Sequence, residues 1–331
     1  MKYNICICSG GNISHALAGY LTNNKHKINL LTRNPEKWSD SIEVNEIGKK
    51  YVVRINNISN DPKLVVPECN IIIISAPIFA ISDIIDKIKP YLNSNMTIIG
   101  IPGRLYSLFN NDLKNINQIY ILRTPFISRT IEYGKSVKIT GYAHKKLDYW
   151  SNNFEKSEII LNNLFKFKLN KLFNIESLNL VNSNSILHPS RLYVLFKDKL
   201  GYTKIPLFYK EWCLESSKLL IKCDEELTSL INEINKNEKN KIYFKTILNH
   251  YESQNALELT NKIKSLKSIS LIATPVIKKN KKYYCDLKNR YITEDIFIGV
   301  KYILQKGKIY NVKLENIQKI YDFFIDLSKY K

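Results

Sequence analysis

Apolar residues fall in short unbroken runs through the first third of the chain and at helical spacing through much of the second half. Asn4-Ile5-Cys6-Ile7-Cys8 is one such run. It passes through Ser9-Gly10-Gly11 into a helical stretch from Asn12 to Leu21 with small residues on its near face. The stretch 26–33 (HKINLLTR) predicts a second buried strand after one helix, the length of a βαβ unit. Two further strands are predicted at 70–76 (NIIIISA), stopped at Pro77, and at 96–101 (MTIIGI), ended by Pro102-Gly103-Arg104; an amphipathic helix to about Tyr91 lies between them. Continuous Ile runs separated by helices belong to parallel sheets covered on both faces. The pattern predicts an α/β N-terminal domain with a Rossmann-type parallel sheet.

Helical periodicity dominates afterwards. The stretches 208–231, 245–266 and 314–327 predict helices, and together they suggest a mostly α-helical C-terminal domain that holds substrate. A chain of 331 residues favours two domains, here a dinucleotide-binding domain at 1–172 and a helical substrate-binding and catalytic domain at 173–331. The acidic run Asp224-Glu225-Glu226 is expected on the solvated face of its helix, because no His lies near to complete a metal site.

The first turn carries the sharpest local chemistry. A strand, a glycine turn and a helix N-terminus place backbone N–H groups and the positive end of the helix dipole at one point, which suits a phosphate. Gly is scarce, 11 in 331 residues, so Gly10-Gly11 stands out. The match to G-x-G-x-x-G is partial, with Ser9, Gly11 and Ser14 at the three glycine positions. Ser9 is the awkward one if that residue must take a positive φ. Ligands bind at the carboxyl ends of such strands, so Ser9, Gly10, Gly11, Asn12 and Ile13 should share a crevice with Ser75-Ala76-Pro77 and with 102–104. After the second strand a carboxylate would hold the ribose of NAD; here Thr32 and Arg33 stand there instead. With no carboxylate to repel a 2′-phosphate and an Arg to pair with it, NADP(H) is favoured over NAD(H).

Composition narrows the field. Lys+Arg 50 against Asp+Glu 30 gives a net charge of +20, but the Lys are spread along the chain with no groove-reading or base-stacking motif. This argues for solvated positions and an overall bias, not a nucleic-acid surface. Six Cys show no C-x-x-C and no metal spacing, as expected of a reduced, cytoplasmic protein without a disulfide framework. Cys6 and Cys8 should point the same way along one strand. A strand so near the first residue suggests no signal peptide, and no apolar stretch is long enough for a membrane span. A homodimer is an open expectation.

Several segments then act together. The Gly-Gly-Asn turn, Arg123-Thr124-Pro125, the Asn-x-Asn-x-x-x-His-Pro stretch from Asn182 to Pro189, Phe208-Tyr209-Lys210-Glu211-Trp212 and Arg290-Tyr291-x-x-Glu294-Asp295 occur in order. In these the chain resembles the opine dehydrogenase family over nearly its full length. The resemblance implies NAD(P)H-dependent reductive condensation of an α-keto acid with the amino group of an amino acid, through an imine. It implies an acid/base role for His188, an orienting role for Asp295 and a substrate carboxylate on Arg290. Thr124 and the loop carrying Arg104 would contact the keto acid.

The residue types suit that chemistry. Losing water from a carbinolamine and releasing a neutral amine need a group that exchanges protons near neutrality, as His does. A carboxylate on its far nitrogen fixes the tautomer, and a bidentate Arg suits a planar carboxylate. As alternatives on sequence alone, His188 could be a helix residue satisfied by backbone and Asp295 a helix cap. His15 and His144 are expected on the surface, and Glu294 in a structural role. Three readings compete: an opine-type dehydrogenase; another two-domain ketone reductase of ketopantoate, glycerol-phosphate or hydroxyacyl type; and a non-catalytic nucleotide- or nucleic-acid-binding protein.

Overall fold

The structure is a computed structural model that describes residues 1–142, 146–181, 183–198 and 201–329. His144 and Asn182 lie outside the described residues. The chain divides into two compact units, Met1–Leu178 and Asn179–Lys331.

The first unit runs β1 (Asn4–Cys8), α1 (Asn12–Asn23), β2 (Lys27–Leu31), β3 (Ser41–Glu46), β4 (Lys49–Arg54), β5 (Asn57–Ser59) and β6 (Ile71–Ile74). It continues with α2 (Ile81–Ile88), β7 (Thr97–Gly100), β8 (Asn117–Ile121), β9 (Phe126–Glu132), β10 (Ser136–Tyr142), β11 (Lys146–Ser151), α3 (Phe154–Leu164) and β12 (Lys168–Lys171). Eight strands form the main sheet in the order β12-β11-β8-β7-β6-β1-β2-β5. All neighbours are parallel except β11 against β8.

Strand periodicity explains why the Ile runs are buried throughout. Ile5, Ile7, Ile71 and Ile73 enter the core shared with α1, whereas Cys6, Cys8, Ile72 and Ile74 enter the one shared with α2. Successive side chains point to opposite faces, so a sheet covered on both sides needs apolar residues at every position. Cys6 and Cys8 do share a face, with their sulfurs 3.9 Å apart. From β1 the chain crosses to β2 on one side and later to β6 on the other, so β1 and β6 flank the point where the strand order reverses.

A second sheet, β4-β3-β10-β9, was not anticipated from the apolar runs. Its strands alternate apolar and polar residues: Ile42 and Val44 are buried while Glu43 is exposed. This sheet lies on α1, where a Cβ at Gly19 would come within 2.5 Å of Val44.

The second unit holds the helices Asn184–Phe196, Leu214–Asn237, Ala256–Ser265, Lys301–Ile309 and Glu315–Lys329. It also contains an unanticipated antiparallel hairpin, Val276–Lys279 with Lys282–Cys285. Two expected helices are corrected. The helix expected from residue 208 starts at Leu214, after an extended Cys213. The stretch 245–266 is broken at Glu252, which takes a φ of 51°, and restarts where the Asn255 side chain accepts from the N–H groups of Leu257 and Glu258. No helix among the described residues is long and apolar enough to cross a membrane.

Candidate active site

The helix Asn184–Phe196 buries His188, and its second turn contains Pro189. Asp295 opens a π-helical stretch, Asp295–Val300, in which the Gly299 N–H reaches back five residues to the Glu294 carbonyl. Such widened turns redirect side chains and recur at functional sites. Here the turn brings residues 107 positions apart together: His188 Nδ1 lies 2.8 Å from Asp295 Oδ2. The carboxylate accepts, so Nδ1 carries the hydrogen and Nε2 faces the Tyr209 hydroxyl at 2.9 Å. Tyr291 stacks on the imidazole with a centroid distance of 3.8 Å and an interplanar angle of 15°, and Phe208 meets it edge-on. The ring is held on one nitrogen, on one face and at its edge.

Tyr209 was singled out only as part of a sequence stretch, and its contact with His188 has no periodic signal. The cause of its placement is Arg191, one turn after His188. The Arg191 guanidinium donates to the carbonyls of Phe208 (3.2 Å) and Glu211 (2.6 Å) and to Ser216 Oγ (3.3 Å). It also lies 5.7 Å from the centre of the Trp212 ring. These bonds hold residues 208–213 out of the following helix and against His188. Burial pushes the Arg191 pKa down and the Tyr209 phenol well up; Tyr291 and Asp295 add to the latter shift.

Arg290 is already engaged. Its Nε and Nη2 donate to the two oxygens of Glu294 at 2.8 and 2.9 Å. The buried Glu294 carboxylate thereby acquires a counter-charge, and the Arg290 side chain remains 68% exposed with the rest of its fork open. In the acidic run Glu225 is exposed as expected, but its two neighbours depart from expectation. Asp224 is buried and accepts the Ile247 N–H at 2.8 Å, and Glu226 accepts the N–H groups of Asn316 and Ile317. Both are helix caps, not a solvated face. Among the described residues no group of three or more His, Cys, Asp or Glu could hold a metal.

In the first unit, the turn after β1 and the turn after β6 are bound together. Ser9 Oγ donates to the Ser75 carbonyl at 3.1 Å, and the Ser14 and Ser75 hydroxyls are 2.9 Å apart. Ala76 and Pro77 follow directly. Ser9 takes a φ of 146°, a region that disfavours side chains, so the lost glycine is felt as local strain of about 1–3 kcal/mol. A nucleotide phosphate fits this cradle. A Cβ at Gly11 would meet only Ser9 Oγ, at 3.9 Å, leaving open space over the turn. No side chain among the described residues caps α1, so its first N–H groups remain available. Asn12 turns its side chain aside, accepting the Thr130 N–H at 2.8 Å. Ile13 is half-buried against the core.

The far side of the turn is close-packed. A Cβ at Gly10 would lie 2.4 Å from the Tyr133 hydroxyl and 3.0 Å from Thr32 Oγ1. Thr32 is buried and Arg33 is exposed beside it. Arg104 follows β7 and is buried, while Thr124 follows β8 and is half-buried, so both sit at the carboxyl edge of the sheet. His15, expected on the surface, is fully buried instead. Its Nδ1 bonds the Gly11 carbonyl at 2.8 Å, Nε2 accepts the Gly134 N–H at 2.8 Å, and Trp38 stacks on the ring.

Residues 172–327 match the family model described as NAD/NADP octopine/nopaline dehydrogenase, alpha-helical domain. The chain is 24% identical to octopine dehydrogenase of Pecten maximus, over 93% of its own length and 85% of that protein. It is 22% identical to opine dehydrogenase of Haliotis discus hannai, with 92% and 85% covered. An octopine dehydrogenase solved with NADH and L-arginine superposes with a TM-score of 0.82 at 20% identity, covering 98% of this chain and 88% of that one. The sequence matches support the opine dehydrogenase superfamily, and the structural likeness shows the fold, a Rossmann-like mixed-sheet domain followed by a helical one.

Proposed function

We propose that the chain is an opine-type dehydrogenase that condenses an α-keto acid with the amino group of an amino acid. The sequence and fold likeness support a general NAD(P)H oxidoreductase function. The observation that carries the finer reading is the buried His188–Asp295 pair with its fixed tautomer. Asp295 holds the Nδ1 hydrogen and leaves Nε2 for proton exchange, so His188 can take the proton of a substrate ammonium and give it back when the carbinolamine loses water. The open edge of Arg290 is suited to a carboxylate of the keto or amino acid, with Thr124 and Arg104 assigned to the keto acid. Ser9 to Ile13 and Ser75 to Pro77 would hold NAD(P)H, which supplies the hydride that reduces the imine. Thr32 and Arg33 favour NADP(H), since no carboxylate opposes a 2′-phosphate there.

An NADPH and NADH oxidation screen of keto acids, each with and without a panel of amino acids, tests this reading. Oxidation should require both partners and should vanish in His188→Ala. Turnover with keto acid alone would instead establish a ketone reductase.

A further inference from the structure

We propose that the Tyr209 hydroxyl is the catalytic group through which His188 exchanges its proton with the substrate oxygen. The proposal deepens the reading above and rests on it. Nδ1 of His188 is committed to Asp295, so only Nε2 can do proton chemistry, and Nε2 is occupied by the Tyr209 hydroxyl at 2.9 Å. Tyr291 against one face and Phe208 at the edge oppose any swing of the ring. Turning Nε2 elsewhere would also break the bond to Asp295. A proton therefore reaches Nε2 by way of the phenol.

A hydroxyl can serve both directions because it donates and accepts. With neutral imidazole, the phenol donates to Nε2. With imidazolium, Nε2–H donates to the phenolic oxygen and the phenol hydrogen turns away from Nε2, on a hydroxyl that also shares a hydrogen bond with Tyr291. Burial, with Tyr291, Tyr251 and Asp295 facing it, disfavours the phenolate. Tyr209 thus passes a proton without keeping the charge. Arg191 acts as a positioning residue, since its bonds to the Phe208 and Glu211 carbonyls bracket Tyr209.

The balance closes. As the amine adds to the ketone, the ammonium proton ends on His188 and a neutral carbinolamine remains. In dehydration the nitrogen lone pair forms C=N and the C–O bond breaks. The departing oxygen takes the Tyr209 proton, and Tyr209 takes the Nε2 proton. Water leaves, the positive charge passes from imidazolium to iminium, and Tyr209 is restored.

Tyr209→Phe, checked by thermal melting for retention of fold, should lower kcat about 100-fold with both substrate KM values within threefold, in the range of a lost acid–base group. The proton inventory in H2O–D2O mixtures should be bowed in the wild type and linear in the variant. A kcat within twofold of wild type, or an inventory that does not change, overturns the proposal. A wild type that oxidises no NAD(P)H under any pairing fails the functional reading instead. The contact is then read without turnover by 15N NMR of the histidines, where Tyr209→Phe should move the His188 Nε2 resonance by several ppm and leave Nδ1 in place. An unmoved Nε2 resonance rejects the relay.

Discussion

At the scale of single residues, His15 shows how a side chain can be decided by contacts far along the chain. Its position in α1 suggests a surface role, yet the hairpin turn at Gly134, 119 residues away, supplies the N–H that its Nε2 accepts. That bond requires a neutral ring, and burial lowers the His15 pKa below its ordinary 6.5. The sign follows from linkage: the unfolded chain binds the proton more readily, so the stabilisation is complete above pH 6.5 and is lost as pH falls from there through the folded value. His15→Phe retains an aromatic ring against Trp38 but leaves the Gly134 N–H unpaired, a loss of about 1–3 kcal/mol at pH 8. Denaturant melts should show the gap between wild type and variant narrowing by pH 5. A gap that stays constant would mean the ring does not titrate with folding.

Secondary-structure elements that read well from the sequence are those whose burial is complete on both sides. Ile71–Ile74 needs no partner specified, because every position is apolar whichever face it meets. The strands β3, β4, β9 and β10 read poorly because only alternate positions are buried, and their partner α1 lies elsewhere in the chain. The candidate functional residues divide in the same way. His188, Asp295 and the Gly10-Gly11 turn were legible as motifs. Tyr209 was not, because it is placed by Arg191 bonding to backbone carbonyls, which leave no mark on residue type. Asp224 and Glu226 misled for a related reason: an acid that caps another helix looks, like Glu225 between them, as if it faces water.

Asp224 gives that last point a measurable form. Burial raises its pKa to about 6, although the Ile247 N–H pulls the other way. A raised folded value means the group is at its most favourable in acid, with stability lost as pH climbs from about 4 through 6. Asp224→Asn keeps an acceptor for the Ile247 N–H and removes the charge. It should stabilise the protein at pH 8 by on the order of 1 kcal/mol and leave it unchanged at pH 4. Urea midpoints at the two pH values decide the matter, and equal effects at both would show that the Asp224 carboxylate is not the cause.

For the whole molecule, the net charge of +20 acts on ligands more than on fold. Its spread along the chain argues for a broad positive field rather than a groove, and the cofactor and keto acid proposed for this protein are both anions. Such a field raises association rates and is screened over about 10 Å at 0.1 M salt. Raising salt from 50 to 200 mM should therefore lower kcat/KM several-fold while leaving kcat nearly unchanged. The two cofactors separate the general field from a local contact. NADPH carries an added 2′-phosphate, and Arg33 is exposed beside the buried Thr32 where that phosphate would lie. The affinity for NADPH should fall more steeply with salt than the affinity for NADH, and Arg33→Ser should bring the two slopes together without altering the NADH slope. Fluorescence titrations of both cofactors across that salt range measure this. If the slopes already coincide in the wild type, Arg33 does not read the 2′-phosphate and the preference for NADP(H) fails, whatever the total charge does to encounter rates.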